Sequence, residues 1–419
     1  MKITRISGFA AFIAAAAVVL AGCGSDPAAS DPTSSAATQS ATSEAAASSD
    51  ASSAAGSAEV ATSGAATSGA SSAAGSSDAG TAGTAGGAAA GVSFDAAGFT
   101  CATGELRSSG STAQGKAIDA WIKAYNAKCG AKVNDYGGGG SGKGITDFTA
   151  NQTDFAGSDS ALKDDQTGPA KDRCQGADAI DLPMVTGPIA IAFKLQGVDS
   201  LTLTPAILAG IFDDKITSWD DAAIKAANPD VTLPATAIQS VHRSEDSGTT
   251  ENFVKYLKAN SDWAYEGGKA WEANGGTGAN GSDGVAKAIA GTDGAIGYIE
   301  WGYATADNLT VAKIDNGGGA VELTAESAGK AVSAAKVVGT GKDLSLELDY
   351  ATKQAGAYPI ILVTYEIACS ANNGDKLDTL KSFLGYAATD GQAMLTDVGA
   401  APLPAEIQTK VIAAVSGLS

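Results

Sequence analysis

GGGGSGKG, Gly137 to Gly144, is one hydroxyl short of a nucleotide-binding loop. A P-loop reads G-x-x-x-x-G-K-[ST], and its last side chain holds Mg2+. Gly137, Gly142 and Lys143 fit that spacing, and Gly144 stands where the hydroxyl belongs. Glycines at this density let backbone N–H groups approach an anion closely. The loop therefore suits an oxyanion and lacks the metal-holding group of a nucleotide site.

Two further segments share its design. SSGSTAQ (Ser108 to Gln114) and RSEDSGTT (Arg243 to Thr250) each follow a strand pattern and precede a helical one. A helix N-terminus offers unpaired N–H groups and the positive end of the dipole, and serine and threonine add hydroxyl donors. One such loop reads as a helix cap. Three in one core, with Arg243 at the head of the third, point to capture of an anion.

The elements around them alternate. Cys101–Arg107, Ala131–Tyr136, Thr153–Ala156 and Ala237–His242 read as strands. Ile118, Trp121, Ile122 and Tyr125 recur at helical spacing after Thr112, which marks Trp121 as core. A helix is expected near Ile145, one carrying Phe253, Tyr256 and Leu257, and two late ones near Leu377–Tyr386 and Ile407–Val415. The class is α/β. Two long apolar runs, Ala177–Phe193 and Tyr358–Ala368, contain prolines and read as strands crossing between domains. The expected division is 92–184 and 359–419 for one lobe and 185–358 for the other, since the length after Val92 is too great for one core.

The N-terminus sets the compartment. Lys2 and Arg5 precede a short apolar run that ends Leu20-Ala21-Gly22-Cys23, the pattern of an export signal over residues 1–22. Its ending resembles a lipobox, so Cys23 is expected to carry acyl chains such as palmitate and tether the protein to the membrane. Residues 23–91 are nearly all Ala, Ser, Gly and Thr, with six acidic residues and no basic ones after Cys23. Such a segment cannot bury enough apolar surface to order itself. As a flexible linker it would reach roughly 45 Å.

Net charge is −19 for the chain and still −15 from Val92 on, with 25 basic and 40 acidic residues there. No basic cluster exists for nucleic acid. Bulk potential would repel an anion, so local geometry must hold it. With one histidine, His242, and no C-x-x-C, neither a metal site nor a cofactor is expected. Four cysteines remain beyond Cys23, and they allow three pairings. Cys101–Cys129 is expected because the two flank neighbouring strands, and Cys174–Cys369 because both lie near the crossing strands.

SSGSTAQ, GSGKGITDF, FAGSDSAL and VHRSEDSGTTENFVKYL, in this order, resemble the substrate-binding lipoprotein (PstS type) of the bacterial phosphate ABC transporter. LPMVTGPIAIAF, IFDDKITSWDD, GAIGYIEWGYA and YPIILVTYEI add to the likeness. The resemblance covers the whole core. It implies a two-lobed periplasmic-binding-protein-like fold of type II, with inorganic phosphate enclosed in the cleft. It also implies a non-enzymatic monomer serving membrane permease and ATPase subunits from the extracytoplasmic side.

By that resemblance Ser111, the Thr112 hydroxyl and the Ala113 N–H form the first loop's phosphate contacts. Ser141 belongs to the second loop, and Asp159 is the carboxylate of the S-D motif. Arg243, Ser247, Gly248 and Thr249 form the second lobe's set. Glu245 stands where the family commonly has Asp, and would orient Arg243. His242 should face away from the cleft, because neighbours on a strand alternate, and Lys143 should be solvated. Three other readings compete. A secreted phosphatase or hydrolase would use Ser247 or Ser141 as nucleophile, but no G-x-S-x-G is present. The others are a receptor for another oxyanion, such as sulfate or molybdate, and an adhesin with a vestigial site.

Overall fold

The structure, a computed structural model, describes residues 92–419. The expected signal, Cys23 and the linker lie outside the described residues. Eight strands form one mixed sheet: β1 (Ser108–Gly110), β2 (Phe155–Ser158), β3 (Ala179–Lys194), β4 (Gln239–Arg243), β5 (Thr277–Ala279), β6 (Ala295–Glu300), β7 (Thr310–Val311) and β8 (Ile361–Cys369). Their order is β1-β2-β8-β3-β6-β4-β5, with β7 added to β3. The principal helices of the site and of the first core are α1 (Gly115–Cys129), α2 (Ser141–Thr149), α3 (Asp164–Arg173), α4 (Gly248–Asn260), α5 (Gly281–Gly291), α6 (Trp301–Ala306), α7 (Leu377–Ala388) and α8 (Ala405–Ser416).

β3 explains the two lobes. From Ala179 to Pro188 it pairs antiparallel with β8, and from Ile189 to Lys194 it pairs antiparallel with β6. The core changes at the same place. Leu182, Met184 and Val185 belong to a core with Trp121, Tyr125, Phe155 and Phe383, whereas Ile189 to Phe193 belong to one with Trp219, Phe253 and Tyr298. β8 crosses back, with Leu362 in the second core and Ala368 in the first. Pro183 has no N–H to give the ladder, and the register slips beside it, between Thr364 and Tyr365, as a bulge. The hairpin around Val337, Leu344 and Leu346 packs on the first core, although the sequence assigned those residues to the second lobe.

Local patterns produce most elements. α1 buries Ala117, Ile118, Trp121, Ile122 and Tyr125 and ends at Gly130, whose φ of 64° suits a left-handed cap. Trp121 is core, and its indole N–H donates to the Gly391 carbonyl at 2.8 Å. Both expected disulfides are formed. Of the strand expected over Cys101–Arg107 only Glu105–Leu106 forms, and a second strand starts beyond it at Ser108. Glu105–Leu106 pairs parallel with Lys132–Val133, while Ser108–Gly110 joins the main sheet. Arg107 breaks the run because its N–H donates to the Asp154 carboxylate at 2.8 Å. Ala131–Tyr136 likewise keeps only Lys132–Val133 as strand.

Candidate functional site

Four strand–loop–helix units aim at one spot. β1 leads through Ser111, Thr112 and Ala113 to α1. The glycine run leads to α2, which opens at Ser141, earlier than the Ile145 expected. β4 leads through Arg243 to Ser247 and α4, and β5 leads to Gly281 and α5. Each helix presents the positive end of its dipole there. Ser247 caps α4, accepting from the N–H groups of Thr249 (3.1 Å) and Thr250 (3.4 Å).

The glycine run is a wall of this site. Its backbone zippers onto β1 through Gly137 N–H to Ser108 O (2.9 Å), Gly110 N–H to Gly138 O (3.0 Å) and Gly140 N–H to Gly110 O (2.9 Å). Gly140 has φ +91°, and a Cβ there would lie 2.6 Å from the Asp246 carbonyl across the cleft. At Gly144 a Cβ would lie 2.6 Å from Gly110 Cα and 2.9 Å from the Gly157 carbonyl. The hydroxyl missing from a P-loop is thus missing for steric reasons: α2 packs too closely on β1 and β2 to carry a side chain there.

Asp159 follows β2 and is buried. Its carboxylate accepts from the hydroxyls of Ser111 (2.6 Å), Thr364 (2.7 Å) and Ser141 (3.0 Å). Burial pushes its pKa up to about 6, the hydroxyls from Ser111, Thr364 and Ser141 oppose that shift, and the charge of Glu300 adds to it. Ser111 also accepts from the Ala113 N–H at 3.0 Å.

Arg243 is 2% exposed. Its Nε donates to Glu245 at 2.8 Å, and its Nη2 also bonds that carboxylate. Glu245 is further held by the Gly281 N–H at 3.1 Å. Nη1 reaches Thr249 Oγ1 (3.2 Å) and Ser282 Oγ (3.4 Å), and Nη2 reaches Thr112 Oγ1 (2.7 Å). The guanidinium thus ties β4 to the loop on the other core. More bonds cross the same way: Gly248 N–H to Ser141 Oγ (3.2 Å), Gly142 N–H to Asp246 O (3.1 Å) and Asn252 Nδ2 to Asp159 O (2.7 Å). Beside them Lys269 Nζ donates to Ser160 Oγ at 2.6 Å and pairs with Glu251 at 3.1 Å.

All the residues named from the sequence, Ser111 through Thr249 with Glu245, converge here. His242 turns away and stacks on Trp271 with ring centroids 5.0 Å apart. Lys143 pairs with Asp147 and is half-exposed. Three residues went unread. Ser282 heads α5, a fourth helix start of the same design. Thr364 and Glu300 are single residues on crossing or central strands, where only the fold reveals their direction. Among the described residues, no group of three or more His, Cys, Asp or Glu is placed to hold a metal. No described helix is long and apolar enough to cross a membrane.

Comparison with known proteins identifies the family of the chain. Residues 32–390 match the model of the PBP superfamily domain. Phosphate-binding protein PstS 3 of Mycobacterium tuberculosis is 42% identical over 321 residues, 75% of this chain and 86% of that protein. Phosphate-binding protein PstS of Xylella fastidiosa is 34% identical over 305 residues, covering 70% and 80%. Among solved structures, the periplasmic phosphate-binding protein PfluDING bound with phosphate superposes with a TM-score of 0.61 at 23% identity, over 74% of this chain and 93% of that one. The phosphate-binding protein of Stenotrophomonas maltophilia gives a TM-score of 0.57 at 21% identity, over 75% and 94%. These two likenesses are of fold. With relatives of such identity and coverage, the chain belongs to the PstS phosphate-binding proteins of the PBP superfamily.

Proposed function

We propose that this protein captures inorganic phosphate between its two lobes and delivers it to an ABC permease. The observation that carries the reading is Arg243. This buried cation is held flat by Glu245 and ringed by the hydroxyls of Thr112, Thr249 and Ser282 from both sides of the cleft. In a chain of net charge −19 this is local geometry doing what bulk charge cannot. Ser111, Thr112, Ala113, Ser141 and Asp159 serve as ligands from one lobe, and Arg243, Ser247, Gly248 and Thr249 from the other. The lobes are divided near 92–184 with 359–419 and 185–358, except that the hairpin around Val337, Leu344 and Leu346 packs on the first core.

Asp159 gives the selectivity. Phosphate near neutral pH keeps a proton and can donate it to this carboxylate, whereas sulfate has none and would oppose charge to charge. The protein acts without turnover. Ser141 and Ser247 have no imidazole beside them, since His242 stacks on Trp271 and its Nδ1 lies 2.9 Å from the Arg243 carbonyl. Lipid on Cys23 would hold the monomer to the outer face of the membrane, with the linker as tether. Titration calorimetry with phosphate, arsenate and sulfate, on protein stripped of bound anion, should give binding of the first two and none of the third. Release of phosphate from an ester would instead favour the hydrolase.

A further inference from the structure

Glu251 lies in the first turn of α4, outside the residues assigned to the anion, and is 3% exposed. Three ammonium groups surround its carboxylate: Lys255 at 3.0 Å, Lys269 at 3.1 Å and Lys163 at 3.4 Å. The Ser160 hydroxyl donates to it at 3.0 Å and itself accepts from Lys269 at 2.6 Å. A buried carboxylate needs partners, but one ammonium would neutralise it, so three need an explanation. Burial alone would raise its pKa; Lys269, Lys255 and Lys163 draw it down to about 2, so it stays charged.

The partners come from both cores. Lys255 shares α4 with Glu251. Lys269 is on the same side, since its carbonyl accepts the Ser247 N–H at 2.9 Å and the neighbouring Trp271 packs against the second core. Ser160 and Lys163 belong to the other side. They follow β2, and the Leu162 N–H between them donates at 3.1 Å to Asp181, on the stretch of β3 that pairs with β8. Two links therefore cross the cleft: Lys163 to Glu251, and Ser160 to both Glu251 and Lys269. Separating the lobes breaks both links and leaves Glu251 with two lysines of its own side. No buried charge is stranded by opening, which is what a link made to be broken requires.

We propose that Glu251, Lys163, Lys269 and Ser160 form a release latch: positioning residues that hold the lobes together without touching the anion, and so set how long it stays bound. This rests on the phosphate reading above and its closing lobes. The latch forms only when the two sides meet. An anion entering an open cleft does not meet it, whereas one leaving must wait for it to break, so the latch acts on dissociation. Its two links differ in shielding. Lys269 is buried, while Lys163 is half-exposed beside a cavity of about 730 Å3 that Ser160, Glu251 and Lys255 also line. Dissolved salt reaches the Lys163 link and screens it.

The test is a chase experiment on the full chain. Protein loaded with radiolabelled inorganic phosphate is mixed with excess unlabelled phosphate and release is followed, with association measured separately. Lys163→Met should release about two- to fivefold faster, the size of an exposed ion pair, and Lys163→Arg, which keeps the charge, should stay near the wild type. Lys269→Met removes a buried charged hydrogen bond across the cleft and should release about tenfold faster or more. Association should be unchanged or faster in each. Wild-type release should quicken with added salt, and Lys163→Met should flatten that dependence. The proposal is overturned if Lys163→Met and Lys269→Met release at the wild-type rate, or if Lys163→Arg releases as fast as Lys163→Met. It is equally overturned if the variants weaken binding through slower association, which would make the cluster a guide for the arriving anion. The Lys163 and salt arms decide even if Lys269→Met does not fold. A wild type that retains no labelled phosphate would sink the phosphate reading itself, a result distinct from the others.

Discussion

At the scale of single residues, the site separates two tasks. In the proposed reading Arg243 supplies the charge, and Asp159 distinguishes anions by their proton. Replacing Arg243 by Met removes the cation and leaves the Glu245 carboxylate half-buried without its partner, so both phosphate and sulfate should bind more weakly, phosphate by about 3 kcal/mol or more. Replacing Asp159 by Asn acts differently. An amide can donate to either anion, so phosphate should weaken while the phosphate-to-sulfate ratio narrows, from a limit of about 10⁴–10⁵ for sites that read one hydrogen bond. Competition calorimetry at neutral pH checks both, and an unchanged ratio in Asp159→Asn would refute the role given to that carboxylate. The residues for these tasks were legible because each sits at a loop between a strand pattern and a helix pattern. Glu300 and Thr364 were not, since a lone polar residue on an apolar strand gives no sign of which way it faces.

At the scale of elements, close packing decides what the glycine loop can be. Gly144→Ser completes the P-loop pattern in sequence, yet its Cβ would meet the Gly110 backbone at 2.6 Å. We expect it to cost about 1–3 kcal/mol of stability, as overpacking does, and to confer no nucleotide binding. Thermal unfolding and a nucleotide titration measure the two outcomes. Nucleotide binding by this variant would show that the loop is a lapsed P-loop after all. Helices were the most legible elements, because their 3.6-residue periodicity is local. Strand ends were less so. Arg107 was read into a strand that ends before it, since its N–H is taken by the Asp154 side chain 47 positions away.

At the scale of the whole molecule, two behaviours follow from what is buried between and beneath the lobes. The first is closure. The proposed ligands, divided between two cores, would favour the state that satisfies both sets. Amide hydrogen exchange of ligand-stripped protein should slow at Ser141–Gly144 and Gly248–Asn252 on adding phosphate, and equal rates would argue against a hinge. The second is stability against pH. Burial pushes Glu366 up to about 8, tempered by Gln114 and reinforced by Asp159, and burial with the nearby Asp343 pushes Asp181 up to about 7. Both folded pKa values are raised. The stabilisation is therefore complete below the ordinary carboxylate range and is lost as pH rises toward 7 and 8. Glu251 runs the other way, drawn down to about 2 despite its burial, by Lys269, Lys255 and Lys163, so it favours the fold above its ordinary pKa and costs stability only in stronger acid. The ligand-free protein should thus unfold at a higher temperature near pH 5 than near pH 8, and Glu366→Gln should flatten that slope. A Tm that rises over this range would contradict the assignment.

The sequence by itself determined the alternation of strand and helix and the three anion-seeking loops, and it favoured the two disulfides that the structure forms. Those follow from patterns of neighbours along the chain and from cysteines flanking adjacent strands. Only the tertiary structure decided the rest. It set the hand-over of β3 from one core to the other at Pro188 and Ile189, the Val337–Leu346 hairpin's place on the first core, and the arrival of Ser282, Thr364 and Glu300 at the site. Each of these depends on pairing between segments tens to hundreds of residues apart. A single chain's local preferences carry no information about which distant strand a buried carboxylate will face.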